Sequence, residues 1–424
     1  MATKKKGKKP VGTTAATATG GGFVFADPQP TPDDYSGFTQ QQLDADSSAK
    51  TSSNLEPVPT TRKPGVMNLS DVLSAAQVAQ ITAGGSMVFH CVGDTGGIKE
   101  PSKQFAVADT MVSELGGKTY QNGKPAFFYH LGDVVYYLGQ EQYYYDQFYD
   151  PYRDYDGPIF AIPGNHDGMV SPSIKGLKSL GGFMENFCTT TPTHNPEAQG
   201  VFRTTMTQPG VYFTLDAPFV KIIGLYSNTS EGATQGVISG KIVGPAQLTF
   251  LQQQLQTAAQ QRKSGDHRAL IIAVHHPPFT GSENHAPSSN VLTDLDAACK
   301  TAGIMPDIVL SGHAHLYERY TRYVGGNQIP FIVAGMGGYF NLSGVKPTKS
   351  GTKPKPPVTT QDTKGNKLVL NQYNDTSFGY LRLSVSATTL KCTFVTVDPQ
   401  QKGAPTVGIG DSFSLDLNRH VVGP

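Results

Sequence analysis

The sequence predicts an α/β fold in which two sheets pack into a sandwich. Three observations predict it. Five short apolar runs each end in a Gly- or Pro-containing turn that carries a polar residue, helical patterns separate several of these runs, and beyond residue 315 the pattern turns to strands with little helix. Alternating strands and helices build a layered sheet with helices against its faces, and ligands in such folds collect at the carboxyl ends of the strands.

The elements follow in order. Residues 1–64 are Thr, Ala, Gly, Pro, Ser and Asp with few periodic apolar residues, which predicts a disordered low-complexity arm ahead of a single domain at 65–424. Ser70 is placed to cap a short helix over 71–81, in which Val72, Leu73, Ala76 and Val78 are apolar. SMVFHCVGDTGG then reads as a buried strand over 87–92 running into a turn that holds Asp94. PAFFYHLGD ends at Asp133, PIFAIPGNHD presents Asn165, RALIIAVHHPP presents His275, and PDIVLSGHAH presents His313 and His315. Helices are predicted over 103–115, 245–262 and 291–302; Pro245 suits a first helical turn, and Leu248, Leu251, Leu255 and Ala259 share a face. Late strands are predicted over 317–324, 329–334, 379–385 and 391–397, forming the second sheet. Residues 343–367 interrupt them with six lysines, one aspartate and seven Gly or Pro, a long flexible insertion whose lysines are placed to attract an anionic substrate.

Composition narrows the function classes. Glycine (47) and proline (30) make 77 of 424 residues, 18%, against about 12% in an average chain. Charged residues are only 16%, and the net charge is +1. Five lysines lie in residues 1–10, so the remainder sums to −4, which argues against a generally basic nucleic-acid binder. With 38% apolar residues and 40 Phe or Tyr, the chain can build a core. No run approaches the ~18 apolar residues of a membrane span, and the basic start is followed by no apolar signal core. The expectation is therefore a cytoplasmic or non-classically exported protein. Cys91, Cys188, Cys299 and Cys392 form no CxxC and read as scattered core thiols.

The strand ends offer Asp94, Asp133, Asn165, His275, His313 and His315, with Tyr136 three residues after Asp133. Carboxylate, amide and imidazole donors suit hard or borderline ions, and the lack of thiolate argues against a structural zinc or an iron–sulfur cluster. Seven donors are too many for one catalytic ion with open positions and fit two ions about 3.5–4 Å apart.

The series GDTG, GDVVYY, GNHD, HHPP and GHAH resembles the calcineurin-like metallophosphoesterases. GDVVY (132–136) and GHAHLYER (312–319) resemble the finer pattern of purple acid phosphatases, and FGYLRLSV from Phe378 is similar to that family's closing strands. The resemblance spans residues 86–397 and implies a four-layer αββα sandwich of two mixed sheets. It further implies that Asp94, Asp133, Tyr136 and His315 hold a ferric ion. Asp133, Asn165, His275 and His313 would hold a divalent ion (iron, zinc or manganese), with Asp133 bridging. A phenol of pKa about 10 is deprotonated readily by a hard trivalent ion, which makes Tyr136 the telling ligand. Tyr137 beside Tyr136 and His276 beside His275 are neighbours of the same type. His166 is implied to sit beside the phosphate. His285, ten residues past His275, is placed like a substrate-facing histidine, with simple exposure in a polar loop as the alternative.

Two-metal logic then gives a metal-activated hydroxide attacking phosphorus in line with the leaving alcohol, with His166 or His285 protonating the leaving group. The expected function is hydrolysis of small-molecule phosphate monoesters. A phosphodiesterase or nucleotidase on the same scaffold is the alternative; neither nucleic acid nor membrane is expected as a partner, and the sequence points to no protein partner. The tyrosines at 143–149 read as packing, with a grip on an aromatic substrate as the alternative.

Overall fold

Runs of β-branched and aromatic residues such as MVFHCV and ALIIAV bury both faces, as strands inside a layered fold must. In the computed structural model, which describes residues 57–171, 175–228, 236–400 and 403–424, they form the centres of two mixed sheets. Among the described residues one sheet has nine strands. Its order is Val66–Asn68, Phe213–Asp216, Val220–Leu225, Ala269–Val274, Ile308–Ser311, Asn327–Ala334, Tyr317–Val324, Lys367–Asn374 and Val358–Gln361. The other has seven, in the order Val421–Gly423, Thr406–Asp416, Thr389–Asp398, Phe378–Ser386, Ser86–Val92, Pro125–His130 and Ile159–Ala161.

The sheets meet face to face across aromatic contacts. Tyr317 stacks on Phe394 with ring centroids 4.4 Å apart, and Tyr129 stacks on Phe213 at 6.4 Å. Helix Pro101–Ser113 packs against strands Phe378–Ser386 and Thr389–Asp398. Helices Ala246–Lys263 and Ser289–Ala302 pack together beside the other sheet. The helices thus lie against the sheets, giving the α/β sandwich.

Several expectations are corrected. The late strands do not make a sheet of their own: Tyr317–Val324 and Asn327–Ala334 extend the sheet of Ala269–Val274, whereas Phe378–Ser386 and Thr389–Asp398 extend that of Ser86–Val92. The helix expected over 71–81 is Ala75–Ala83, because Ser74 and Gln77 form a reciprocal capping box there. Most of the arm expected at 1–64 lies outside the described residues, but its last part is packed. Thr61 is buried, and the Arg62 guanidinium donates to the carbonyls of Cys188, Thr189, Thr207 and Gln208.

The segment 343–367 is held rather than loose. Val358–Gln361 pairs with Lys367–Asn374, and Ser343, Val345 and Lys346 donate backbone hydrogen bonds to His315, Asp375 and Gly281. Lys353 and Lys364 pair with Asp375 and Asp296, and Lys367 covers the Tyr323 ring, so these three lysines have local partners. Tyr144, Phe148 and Tyr149 are core residues packed near Phe187 rather than a substrate platform. All four cysteines are buried and free. No helix among the described residues is long and apolar enough to cross a membrane.

Candidate metal centre

In each sheet three adjacent parallel strands lead to the site. Ser86–Val92, Pro125–His130 and Ile159–Ala161 form one set, and Ala269–Val274, Ile308–Ser311 and Asn327–Ala334 the other. The turns after them interlock. Gly93 donates to the carbonyl of Ala334, Asp94 to Gly132, Gly312 to His275, and Tyr339 to Asp94. Residues from both sheets are thereby brought to one place.

The side chains fall into two touching groups. In the first, Asp133, His275 and His313 present donor atoms that all lie within 4.8 Å of one another. His275 Nε2 is 3.2 Å from Asp133 Oδ2 yet is not aligned for a hydrogen bond, the arrangement that two donors to one cation adopt. The buried Asn165 Oδ1 likewise has no hydrogen-bond partner. Buried polar atoms normally find partners, so these two orphans fit a metal ion. In the second group Tyr136 donates its hydroxyl to Asp94 Oδ1 at 3.0 Å and lies 3.3 Å from His315 Nε2, which is itself 3.4 Å from Asp94 Oδ1. The groups join through His313, whose backbone N–H donates to Asp94 Oδ2 at 2.8 Å.

The backbone is bent to achieve this. Asp94, Asp133 and His313 have φ of 57°, 53° and 68°, a left-handed conformation that costs about 1–3 kcal/mol for each non-glycine residue. Two glycines make room. A Cβ on Gly312 would sit 2.5 Å from Asp94 Oδ2, and one on Gly164 would collide with the Asp133 carboxylate.

The rings are oriented by carbonyls. His275 Nδ1 lies 2.8 Å from the Leu131 oxygen and His315 Nδ1 3.1 Å from the Asn341 oxygen. A carbonyl only accepts, so each Nδ1 carries the proton and each Nε2 offers its lone pair to the centre. Burial opposes charge on His275, but the Asp133 and Asp94 carboxylates raise it to about 9, so the site favours positive charge there. Burial, then the Asp133 and Asp94 charges, push the Tyr136 phenol well above its ordinary value. A strongly polarising cation is needed to ionise it.

His166 and His285 line the mouth, both part-buried. His166 donates its N–H to Asp133 Oδ1 at 2.8 Å, and its Nδ1 donates to the Tyr137 carbonyl at 2.7 Å, leaving Nε2 for a ligand. The His285 ring lies 4.7 Å from that of His313 and 4.8 Å from that of His315, with Nδ1 3.2 Å from Ser343 Oγ. Burial, then the His315 charge, lower it to about 3. The neighbours are separated from the ligand roles. His276 turns its Nδ1 to Ser227 Oγ at 2.8 Å and packs on the His313 ring, and Tyr137 contributes its carbonyl to His166.

Two supporting residues escaped the sequence reading. Asp167 is buried and its carboxylate accepts from the backbone N–H groups of Val134, Val135 and Gly164, tying the Asp133 turn to the Asn165 turn. Burial, then the Asp133 charge, raise it to about 7. Gln147 clasps Tyr136, accepting from its N–H at 2.8 Å and donating to its carbonyl at 2.7 Å. Asp167 is visible as the last residue of GNHD; the signal for Gln147 is a polar residue inside an aromatic run.

The sequence matches the Calcineurin-like phosphoesterase family over residues 87–317, more than half of the chain. The chain belongs to that family. Among solved structures this phosphoesterase is similar to a purple acid phosphatase from yellow lupin (Lupinus luteus) seeds. That match has 16% identity and a TM-score of 0.51, and covers 78% of this chain and 54% of that one. A second similar structure is the anchor protein of the inner membrane complex of Plasmodium, at 15% identity and a TM-score of 0.49, covering 77% of this chain and 89% of that one. A dimetal phosphatase from Danio rerio matches at 10% identity and a TM-score of 0.39, covering 77% and 99%. No curated protein matches the sequence.

Proposed function

We propose that this phosphoesterase hydrolyses small phosphate monoesters at a two-ion centre of the purple acid phosphatase kind. A ferric ion would lie between Asp94, Tyr136 and His315, and a divalent iron, zinc or manganese ion between Asn165, His275 and His313, with Asp133 bridging. The observation that carries this reading is Tyr136. Its hydroxyl sits between a carboxylate and an imidazole, in surroundings that oppose its ionisation. A phenol so placed suits a hard trivalent cation.

Such a cation pair supplies an activated water and charge to neutralise phosphoryl oxygens. The chain's own residues do the rest. Asp133 is steadied by the His166 N–H, and the Nε2 of His166 is presented to the phosphoryl group. The neutral His285 ring has the hydroxyls of Ser343 and Ser282 3.2 Å and 3.4 Å from Nδ1; with Nδ1 accepting from them, Nε2 would carry the proton that serves the leaving alkoxide.

Metal analysis and a visible spectrum of the purified protein, with rates on a panel of monoesters and diesters, test the reading. Iron with a tyrosinate band and faster monoester turnover supports it. A colourless, iron-free and fully active protein refutes the ferric assignment. Faster diester turnover selects the phosphodiesterase alternative. Asp133→Ala should abolish metal binding and turnover together.

A further inference from the structure

An aromatic wall stands beside the metal centre, and its outer members Tyr339 and Phe340 take no part in the steps above. Ile98, Tyr136, Tyr137, Leu138 and Met169 form a small buried cluster separate from the main core, and the half-buried Tyr339 and Phe340 pack on it. The Tyr339 ring centroid lies 4.2 Å from that of Tyr136 and 4.5 Å from that of His315. Its backbone N–H donates to the Asp94 carbonyl at 3.0 Å, so the ring is fixed against the centre itself. Phe340 continues the wall 4.8 Å further on. Its carbonyl accepts from Lys103 Nζ at 3.2 Å, and the exposed Lys99 places Nζ 4.6 Å from its ring centroid.

We propose that Tyr339 and Phe340, edged by Lys99, form a subsite for the aromatic ring of an aryl phosphate monoester. This rests on the monoester reading above. The chemistry follows from the spacing. Tyr339 touches rings of the proposed ligands directly, so an aromatic group packed beside it lies close to the place proposed for the phosphoryl group. A phenolic ester meets that condition because its ring is attached to the bridging oxygen. A nucleoside monophosphate does not, because a ribose separates its base from the phosphate. Offset or edge-to-face aromatic contacts favour such a ring by roughly 2- to 12-fold each, and the Lys99 ammonium favours an electron-rich one.

The test separates binding from reactivity. Dissociation constants of phenylphosphonate and methylphosphonate are measured by calorimetry on the metal-loaded full chain. The wild type should prefer the phenyl compound. Tyr339→Leu and Phe340→Leu should each cut that preference about 3- to 10-fold, Tyr339→Phe should keep it, and Lys99→Ala should reduce it less. An unchanged phenyl-to-methyl ratio in both leucine variants overturns the proposal. So does loss of bound metal in Tyr339→Leu with an unaltered ratio in Phe340→Leu, which makes Tyr339 a structural prop. Because the phosphonates are not hydrolysed, a subsite failure is distinguishable from failure of the monoester reading, which shows in the turnover panel.

Discussion

Replacing Asp167 by alanine should loosen the metal centre without touching any proposed ligand. The carboxylate is fully buried and accepts from Gly164 N at 2.8 Å, Val134 N at 3.1 and 3.2 Å, and Val135 N at 3.3 Å. Alanine leaves three buried donors unpaired, each costing about 1–3 kcal/mol, and water entering the small gap recovers part of that, so ~3–6 kcal/mol of stability is lost. With an unfolding entropy of about 2.1 cal/mol/K per residue over about 360 described residues, each kcal/mol shifts the midpoint by roughly 1.3 °C. The expected fall in Tm is ~4–8 °C. Asp167→Asn should recover only part of it, because one carboxylate oxygen becomes an amino group that faces a backbone N–H instead of accepting from it. Since the two turns joined by Asp167 carry Asp133 and Asn165, bound metal should fall with stability. Calorimetric melting and metal analysis of the three proteins check this. An Asp167→Ala protein with wild-type Tm and full metal content would refute the reasoning.

Ser343→Ala removes the hydroxyl 3.2 Å from His285 Nδ1. The loss of a hydrogen bond of about 1 kcal/mol predicts a roughly 5-fold lower kcat, larger for alkyl than for nitrophenyl esters and restored by Ser343→Thr. Equal losses on both ester types would remove His285 as the proton donor. Tyr136→Phe should eliminate any phenolate-to-iron absorption, and persistence of the band would assign it elsewhere. Glu114 supplies the pH dependence. Burial opposes its ionisation, but hydrogen bonds from His90 and Tyr380 and the Arg382 guanidinium bring it down to about 2. A depressed carboxylate contributes stability above its ordinary value near 4.5 that is lost as pH falls toward 2. The Tm advantage of the wild type over Glu114→Gln should therefore shrink between pH 5 and pH 3, and a pH-independent difference would exclude the carboxylate as its source.

The α/β class and the strand-end residues were legible because both are local. A short apolar run marks a strand, and a glycine beside a polar residue marks the turn that follows it. The seven candidate ligands were named without knowing which sheet each strand joins. That membership was not legible. Phe378–Ser386 pairs with Ser86–Val92, almost three hundred residues earlier, through backbone hydrogen bonds that leave no trace in local pattern. Thr406–Asp416 escaped notice although Phe413 and Leu415 alternate as a buried face, because its first half, TVGIGD, carries two glycines and the exposed Val407 and Ile409.

The supporting residues were hidden for a related reason. Asp167 and Gln147 act on backbone N–H and carbonyl groups, which every residue possesses, so side-chain chemistry does not distinguish them in sequence. The same holds for segment 343–367. Its lysines drew attention as charge, yet three of them have partners of their own. Its contribution near the centre is Ser343, backed by a short ladder in which Glu283 donates to the Gly344 carbonyl and Lys346 to that of Gly281. That ladder holds the loop bearing His285 against the turn bearing His315. The expectation is therefore that the insertion bears on catalysis through the position of one imidazole rather than through its charge, and the separation is measurable. Neutralising Lys349 and Lys355, which the sequence reading would have made important, should leave the salt dependence of kcat/KM unchanged. Cutting the single hydroxyl at Ser343 should not leave kcat unchanged.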